Sequence, residues 1–531
     1  MPMGFLKVLD CTLRDGGYCN EWRFGNRNTK TIAASLVEAN IDIVELGFLT
    51  NRVSYDPEVT KYTGLDQMAA MIPADRAGKL FVCMVNYGEY RLEDLPDCDG
   101  SSVDGIRVAF HKKDRYEALR FCEGIKKKGY KVFIQAMVSL NYTDEEFLEL
   151  IRLSSAFMPY AFYIVDSFGV MKRRDLMRLF YTVEHNLPQG IAIGYHAHNN
   201  MQLAYSNAQA LVDIRTNRDR IIDSSVFGMG RGAGNLNTEL FVEYLNDNMD
   251  ASYRLKPLLV IIDRILNRFY QMAPWGYSLP NYLSAKHNAH PNYASWLDSR
   301  KTLTVEDMDG IFEMMEPEKL ANYDKSYIEA LYLRYQATGQ VQELHLQELR
   351  SRIAGNRVLI IAPGRSSVEE YAKIEAIAKA DDVVTVAINF DYQLLDTDFI
   401  FLSNLRRFRE LSPEKYGKCI VTSNIPAMGV YLQTSYADLL NATEAVRDNA
   451  GMMLIRLLME LGAREILIAG MDGYDTDPAR NYADQNMAFY TRRAQMEAMN
   501  TGMSTVLKQY SKDISLRFVT APKYVRVEDC T

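Results

Sequence analysis

The chain has 531 residues, enough for two or more domains, because single cores stop growing near about 250–300 residues. Its 60 Lys and Arg against 68 Asp and Glu leave a net charge of −8 without a basic tail or stripe, which argues against nucleic acid and anionic membranes as partners. Hydrophobic residues at 48% and charged residues at 24% are ordinary for a soluble globular chain, and no apolar run reaches the about 18–20 residues of a membrane span.

Met1 to Leu6 leads straight into a strand, without the charged start and cleavage site of a signal peptide. The cysteines (Cys11, Cys19, Cys83, Cys98, Cys122, Cys419, Cys530) are scattered and odd in number, which fits reduced thiols. A cytoplasmic location is expected. The first half then alternates short β-branched runs with longer amphipathic segments, the rhythm of β-α units around a parallel sheet. Strands are expected at Leu6–Thr12, Asp42–Leu46, Leu80–Val85, Gly105–Phe110, Lys131–Val138, Ala161–Val165, Ala192–Tyr195 and Ile221–Phe227. Helices are expected between them at Thr29–Ala39, Arg115–Lys128, Asp144–Ala156, Arg174–His185, Met201–Val212 and Thr238–Asn246, the third opened by a Thr143/Glu146 capping box. Eight units in about 250 residues predict a TIM (β/α)8 barrel, with an open doubly wound sheet as the rival.

Barrel active sites gather at the carboxyl ends of the strands. Reading those ends in order gives Arg14 and Asp15, Glu45, Asn86, His111, Ser139, Asp166 and Ser167, His196 and His198, then Asn235. His196 and His198 project to the same side of a strand end, where both imidazoles can grip one cation. Asp15 from Leu13-Arg14-Asp15-Gly16-Gly17 and Asn235 from Gly228-Met229-Gly230-Arg231-Gly232-Ala233-Gly234-Asn235 join them only if the sheet closes. Two nitrogens and two oxygens suit Mg²⁺, Mn²⁺, Zn²⁺ or Co²⁺, with Mn²⁺ or Mg²⁺ favoured, and positions left open for substrate suit a 2-oxo acid, whose ketone the ion would polarise toward an enolate. Arg14 would stabilise the enolate oxygen, Glu45 would anchor Arg14, and Asp166 would orient a water or a ligand. Taken singly, these pieces read as a polar strand end, a tight turn, a salt bridge and a glycine-rich loop.

Residues 251–349 read as a helical extension rich in Leu, Tyr and Met. Its His287-Asn288-Ala289-His290-Pro291-Asn292-Tyr293 has a metal-like spacing but no third ligand nearby, so a capped loop before a helix is expected. Residues 350–531 read as a Rossmann-like α/β domain with strands at Arg357–Ala362, Val383–Asn389, Phe399–Ser403, Cys419–Thr422 and Glu465–Ala469, and helices at Val368–Ala380 and Ala450–Leu461. The turn Pro363-Gly364-Arg365-Ser366-Ser367 is either a weak phosphate cradle or a plain strand-to-helix turn.

The run Asp10-Cys11-Thr12-Leu13-Arg14-Asp15-Gly16, the His196-Ala197-His198-Asn199 strand and the Gly-x-Gly-x-Gly-Ala-Gly-Asn loop resemble the DRE-TIM metallolyase superfamily over residues 5–250. That superfamily contains HMG-CoA lyase, isopropylmalate and homocitrate synthases and 4-hydroxy-2-oxovalerate aldolase, and the last is most similar. The resemblance implies metal ligands at Asp15, His196, His198 and Asn235, an enolate-stabilising Arg14 and a sixth-strand Asp166. It makes residues 1–250 a metal-dependent aldolase or lyase domain that reversibly cleaves a 4-hydroxy-2-oxo acid to pyruvate, or a related 2-oxo acid, and an aldehyde. One departure stands out: those aldolases carry a histidine base three residues after the metal aspartate, where this chain has Tyr18, so either Tyr18 acts as an acid or orienting group or the aldol partner differs from acetaldehyde. Alternatives are an acetyl-CoA-dependent Claisen acyl transferase, a metabolite-binding protein without turnover, and glycosyl transfer by the C-terminal domain. That domain, through Ile361-Ala362-Pro363-Gly364-Arg365-Ser366 and Gly470-Met471-Asp472-Gly473, loosely resembles sialyltransferase-like proteins, which implies a nucleotide-sugar ligand there. A homodimer is the expected assembly.

Overall fold

The computed structural model describes residues 4–337, 341, 345–475, 477, 480–484, 487 and 493–524. The chain divides into two compact units, Met1–Ser295 with Glu316–Tyr323, and Trp296–Met315 with Asp324–Thr531.

The first unit is a closed parallel barrel wrapped by helices. Its strands are β1 (Leu6–Asp10), β2 (Ile43–Leu49), β3 (Lys61–Tyr62), β4 (Leu80–Asn86), β5 (Gly105–Phe110), β6 (Lys131–Ala136), β7 (Ala161–Asp166), β8 (Ala192–Ala197) and β9 (Arg220–Ser224). They run in the order β1-β9-β8-β7-β6-β5-β4-β2, and the β1–β2 pairing (Leu9 with Ile43, Asp10 with Val44) closes the ring. Two-residue β3 is an appendage on the rim of β2. Parallel strands covered on both faces become continuous apolar runs, and all seven residues of β2 are buried. The helix Asp144–Ser155 shows the complementary pattern. Thr143 and Glu146 form the capping box, and Phe147, Leu150, Ile151 and Ser154 share the buried face.

Three strand ends fall short of the sequence expectation because the chain turns sooner. β1 stops at Asp10, and Thr12–Asp15 winds into a short helix; β6 stops at Ala136 and β9 at Ser224. Hydrogen bonds from Thr238 Oγ1 to Asp10 Oδ2 (2.7 Å) and from the Val226 N–H to Thr12 Oγ1 (2.8 Å) fasten the last loop to the first.

Inside the barrel, side chains two residues apart on a strand face the same way, so the lumen fills in layers. Leu9, Ile43, Val82, Phe133, Tyr163 and Ile221 form an apolar cluster. One step nearer the carboxyl ends, Glu45 follows Ile43 and Asp223 follows Ile221, and both are buried with Arg107 from β5.

The second unit carries β10 (Arg357–Ile361), β11 (Val383–Ile388), β12 (Phe399–Leu402), β13 (Cys419–Thr422), β14 (Leu432–Thr434), β15 (Glu465–Ala469) and β16 (Ser515–Phe518). The order β14-β13-β12-β11-β10-β15-β16, parallel throughout, is an open sheet wound outward in both directions from β10. Edge strands β14 and β16, of three and four residues, had no sequence expectation. The expected helix Val368–Ala380 is two short ones, Ser366–Glu369 and Tyr371–Ala378. Of the two readings of the Pro363–Ser367 turn, the plain strand-to-helix turn fits better: the Ser366 N–H donates to Asp472 Oδ2 at 2.9 Å and the Ser366 hydroxyl bonds the same carboxylate.

Among the described residues no helix is long and apolar enough to cross a membrane.

Candidate active site

Barrel closure brings the scattered strand ends together. His196 ends β8 on the inward side and His198 lies two residues on, their rings 5.3 Å apart and nearly perpendicular. Asp15 arrives from the other side of the β1–β9 seam on the buried helix Thr12–Asp15. One ligand atom from each of Asp15, His196 and His198 lies within 4.8 Å of the other two, and all three residues are buried. An antiparallel backbone bridge from His198 to Asn235 then sets the Asn235 amide against Asp15, with Nδ2 donating to Asp15 Oδ2 at 2.5 Å.

This cluster sits on a chain of buried charges that begins and ends at candidate ligands. Arg14 Nη1 meets Asp15 Oδ1 at 2.7 Å and its Nε meets Glu45 Oε2 at 2.9 Å. Glu45 Oε2 is also 2.8 Å from Arg107 Nη1; Arg107 Nη2 pairs with Asp223 Oδ2, and the same oxygen lies 3.0 Å from His196 Nδ1. Removing one member would leave an uncompensated charge in the lumen, so the chain fixes Arg14 and His196 together.

Electrostatics set the protonation states. Burial alone would favour the neutral carboxyl of Asp15, but interaction with His198, Arg14, His196 and Arg231 outweighs it and holds the group well below the ordinary carboxylate value. Burial pushes His198 down to about 3, with Arg231, His196 and Arg14 reinforcing the shift and Asp15 opposing it. At neutral pH the site therefore presents a carboxylate and a neutral imidazole, the states that bind a metal ion.

The donor set fits a divalent ion. Asn235 spends its amide nitrogen on Asp15 and on the Met229 carbonyl, and its buried Oδ1 has no hydrogen-bond partner. His198 Nδ1 is likewise buried without one. Lone pairs kept from both water and protein cost free energy unless something occupies them. Gly230 keeps the space open, since a Cβ there would lie 2.1 Å from Asn235 Nδ2 and 2.7 Å from Asp15 Oδ2. One carboxylate, two imidazoles and an amide oxygen are the donors that Mn²⁺, Mg²⁺, Zn²⁺ or Co²⁺ would accept.

Tyr18 follows on the next short helix; its ring lies 4.7 Å from that of Trp22 and 5.2 Å from the Arg231 guanidinium carbon. Asp166 stands apart. Its carboxylate oxygens accept the N–H groups of Val170 (3.0 Å) and Met171 (2.9 Å), and burial raises it to about 6 against those hydrogen bonds. These bonds tie the carboxylate to the loop after β7. Sequence reading gave no role to Arg107, Asp223 or Arg231 and set His290 aside as part of a capped loop. For Asp223 a signal existed, an ionisable residue on the inward register of an apolar strand; for His290 the histidine spacing drew notice, but nothing in it pointed to the barrel.

A closed parallel barrel with a buried carboxylate and paired imidazoles at its carboxyl end is a TIM barrel with a candidate metal centre. More particularly, residues 111–261 match the HMGL-like family. Its curated relatives include 4-hydroxy-2-oxovalerate aldolases from Geobacillus genomosp. 3, 27% identical over 46% of this chain and 72% of the relative, and from Carboxydothermus hydrogenoformans, 28% identical over 45% and 70%. Among solved structures, an N-terminal domain from Bacteroides vulgatus is 28% identical with a TM-score of 0.48, over 55% of this chain and 96% of that one. HMG-CoA lyase from Brucella melitensis is 16% identical with a TM-score of 0.39, over 50% and 98%.

Proposed function

We propose that the barrel is a divalent-metal-dependent aldolase that reversibly cleaves a 4-hydroxy-2-oxo acid into pyruvate, or a related 2-oxo acid, and an aldehyde. The convergence of Asp15, His196 and His198 beside Arg14 carries this reading, and the aldolase-named relatives support it. A bound divalent ion would take the carboxylate and ketone oxygens of the 2-oxo acid and withdraw charge from the ketone.

The protein's own part begins at Arg14. Two of its nitrogens are spent on Glu45 and Asp15, while buried Nη2 has no partner. A fixed cation with one unspent donor suits an oxygen that becomes negative during reaction, because a preorganised donor needs no reorientation at that moment. Asp223 and Arg107 hold His196 and, through Glu45, Arg14 in place. Tyr18, on the short helix Gly17–Asn20 beside Arg231, would manage the C4 hydroxyl proton, directly or through a water.

The half-reaction can be tested without the aldehyde. Pyruvate methyl protons should exchange with deuterium in heavy water containing Mn²⁺. Chelator, Asp15→Ala and His196→Ala should abolish the exchange, and Arg14→Ala should slow it by about 10²–10³-fold, the usual loss for an oxyanion donor. Equal rates in wild type and all three variants would remove the reading.

A further inference from the structure

Arg231 is a cation that feels the Asp15 carboxylate but makes no direct ion pair with a described residue. Its Nε is buried without a partner, its Nη2 has only a long 3.4 Å contact to the Ser167 carbonyl, and no carboxylate of the described residues lies within 4.0 Å of it. Its Nη1 faces His290 Nε2 at 3.4 Å. That contact is not a good hydrogen bond. The Asn292 N–H donates to His290 Nδ1 at 3.2 Å, so Nδ1 holds a lone pair and the proton of the neutral ring is on Nε2. Burial, with Arg231, His111 and His198 adding to it, pushes this imidazole down to about 2, so it is neutral in the physiological range.

Two donors thus point toward one another with no acceptor between them, an arrangement that calls for a shared anion. Packing keeps the pair in place: the His290 ring lies 6.0 Å from both Phe168 and Tyr323, and Arg231 covers Tyr18. The pair also adjoins the candidate metal centre, because Arg231 leaves the loop one residue after Gly230, which lies against Asp15 and Asn235.

We infer that Arg231 and His290 hold an anionic group, a carboxylate or a phosphate, on the aldehyde half of the substrate. This rests on the aldolase reading, which assigns the carboxylate of the 2-oxo acid to the ion and leaves the second anion site for the other product. The favoured aldehyde is then acidic, unlike acetaldehyde.

The test is aldol addition of pyruvate by the full-length Mn²⁺-loaded protein to matched aldehydes. Glyoxylate is compared with acetaldehyde, succinate semialdehyde with butanal, and glyceraldehyde 3-phosphate with glyceraldehyde; the carboxylate and phosphate arms identify the anion. At least one anionic aldehyde should exceed its neutral counterpart in kcat/KM by about tenfold or more, the yield of a charged hydrogen bond. Arg231→Gln should bring that ratio close to one, and His290→Gln, a milder change should the first variant fold poorly, should lower it. Wild-type protein that exchanges pyruvate protons but shows no anionic preference overturns this inference alone. So does an Arg231→Gln effect confined to pyruvate saturation. Absence of exchange in wild type removes the aldolase reading, and this inference with it.

Discussion

The carboxyl ends of the barrel strands and of the second unit's sheet are both lined with amides, carboxylates and arginine, yet they use those groups in opposite ways. At its sheet the second unit has an open cleft of about 190 Å³ bordered by Gly364, Asn389, Asn404, Asn449 and Asp472. Arg300 Nε there is buried without a hydrogen-bond partner, but the amides and the carboxylate that border the cleft are engaged. Asn389 Oδ1 accepts the Ser403 N–H, Asn404 and Asn449 cap the helices that follow them, and Asp472 holds Ser366. In the barrel, Asn235 Oδ1, His198 Nδ1, Arg14 Nη2 and Arg231 Nε are buried without partners. Space alone does not mark a site; the better marker is polar atoms that the fold has paid to bury and left unpaired.

That contrast can be broken by substitution. In the barrel, Asp223→Asn keeps the shape but removes the charge behind His196, and metal affinity should fall about 10–100-fold, as for other groups that orient a metal-binding histidine. Unchanged affinity in a calorimetric titration with Mn²⁺ would detach Asp223 from the centre. In the second unit, Asp472→Ala should cost about 1–3 kcal/mol in denaturant unfolding by stranding the Ser366 N–H. Pyruvate exchange should be untouched, and a loss of exchange would show that the two regions share one task.

The smallest effect concerns pH. His290 titrates near 2 in the folded chain, against about 6.5 for an unperturbed histidine, so between those values the unfolded state binds the extra proton. Its contribution to stability is therefore whole above about pH 6.5 and drains away as the pH falls toward 2. With metal chelated, wild type should lose stability more steeply than His290→Gln between about pH 7 and about pH 5. Parallel curves would mean that the ring is not held neutral.

Much of this was legible in the residues. The barrel strands are buried apolar runs whose spacing leaves little choice, and Asp15, His196, His198 and Asn235 stand at strand ends that only a closed sheet can unite. The charge chain was half legible: Arg14 and Glu45 could be paired on paper, but Arg107 and Asp223 lie in different β-α units, and nothing local says that they meet. Asp166 was legible as a carboxylate at a strand end, but its bonds to the Val170 and Met171 N–H groups were not, because they depend on how the following loop turns back. The Arg231–His290 pair spans 59 residues, and the helical segment that positions His290 has no periodic signal pointing back to the barrel. The Ser366–Asp472 bond, spanning 106 residues, was hidden for the same reason.

The central claim is that Asp15, His196 and His198 hold one ion. Titrating the full-length protein with Mn²⁺ while following the electron paramagnetic resonance of the free ion tests it most directly. The account predicts a tight site in wild type that is missing from both Asp15→Ala and His196→Ala, each still folded by circular dichroism. Undiminished tight binding in either variant would contradict it.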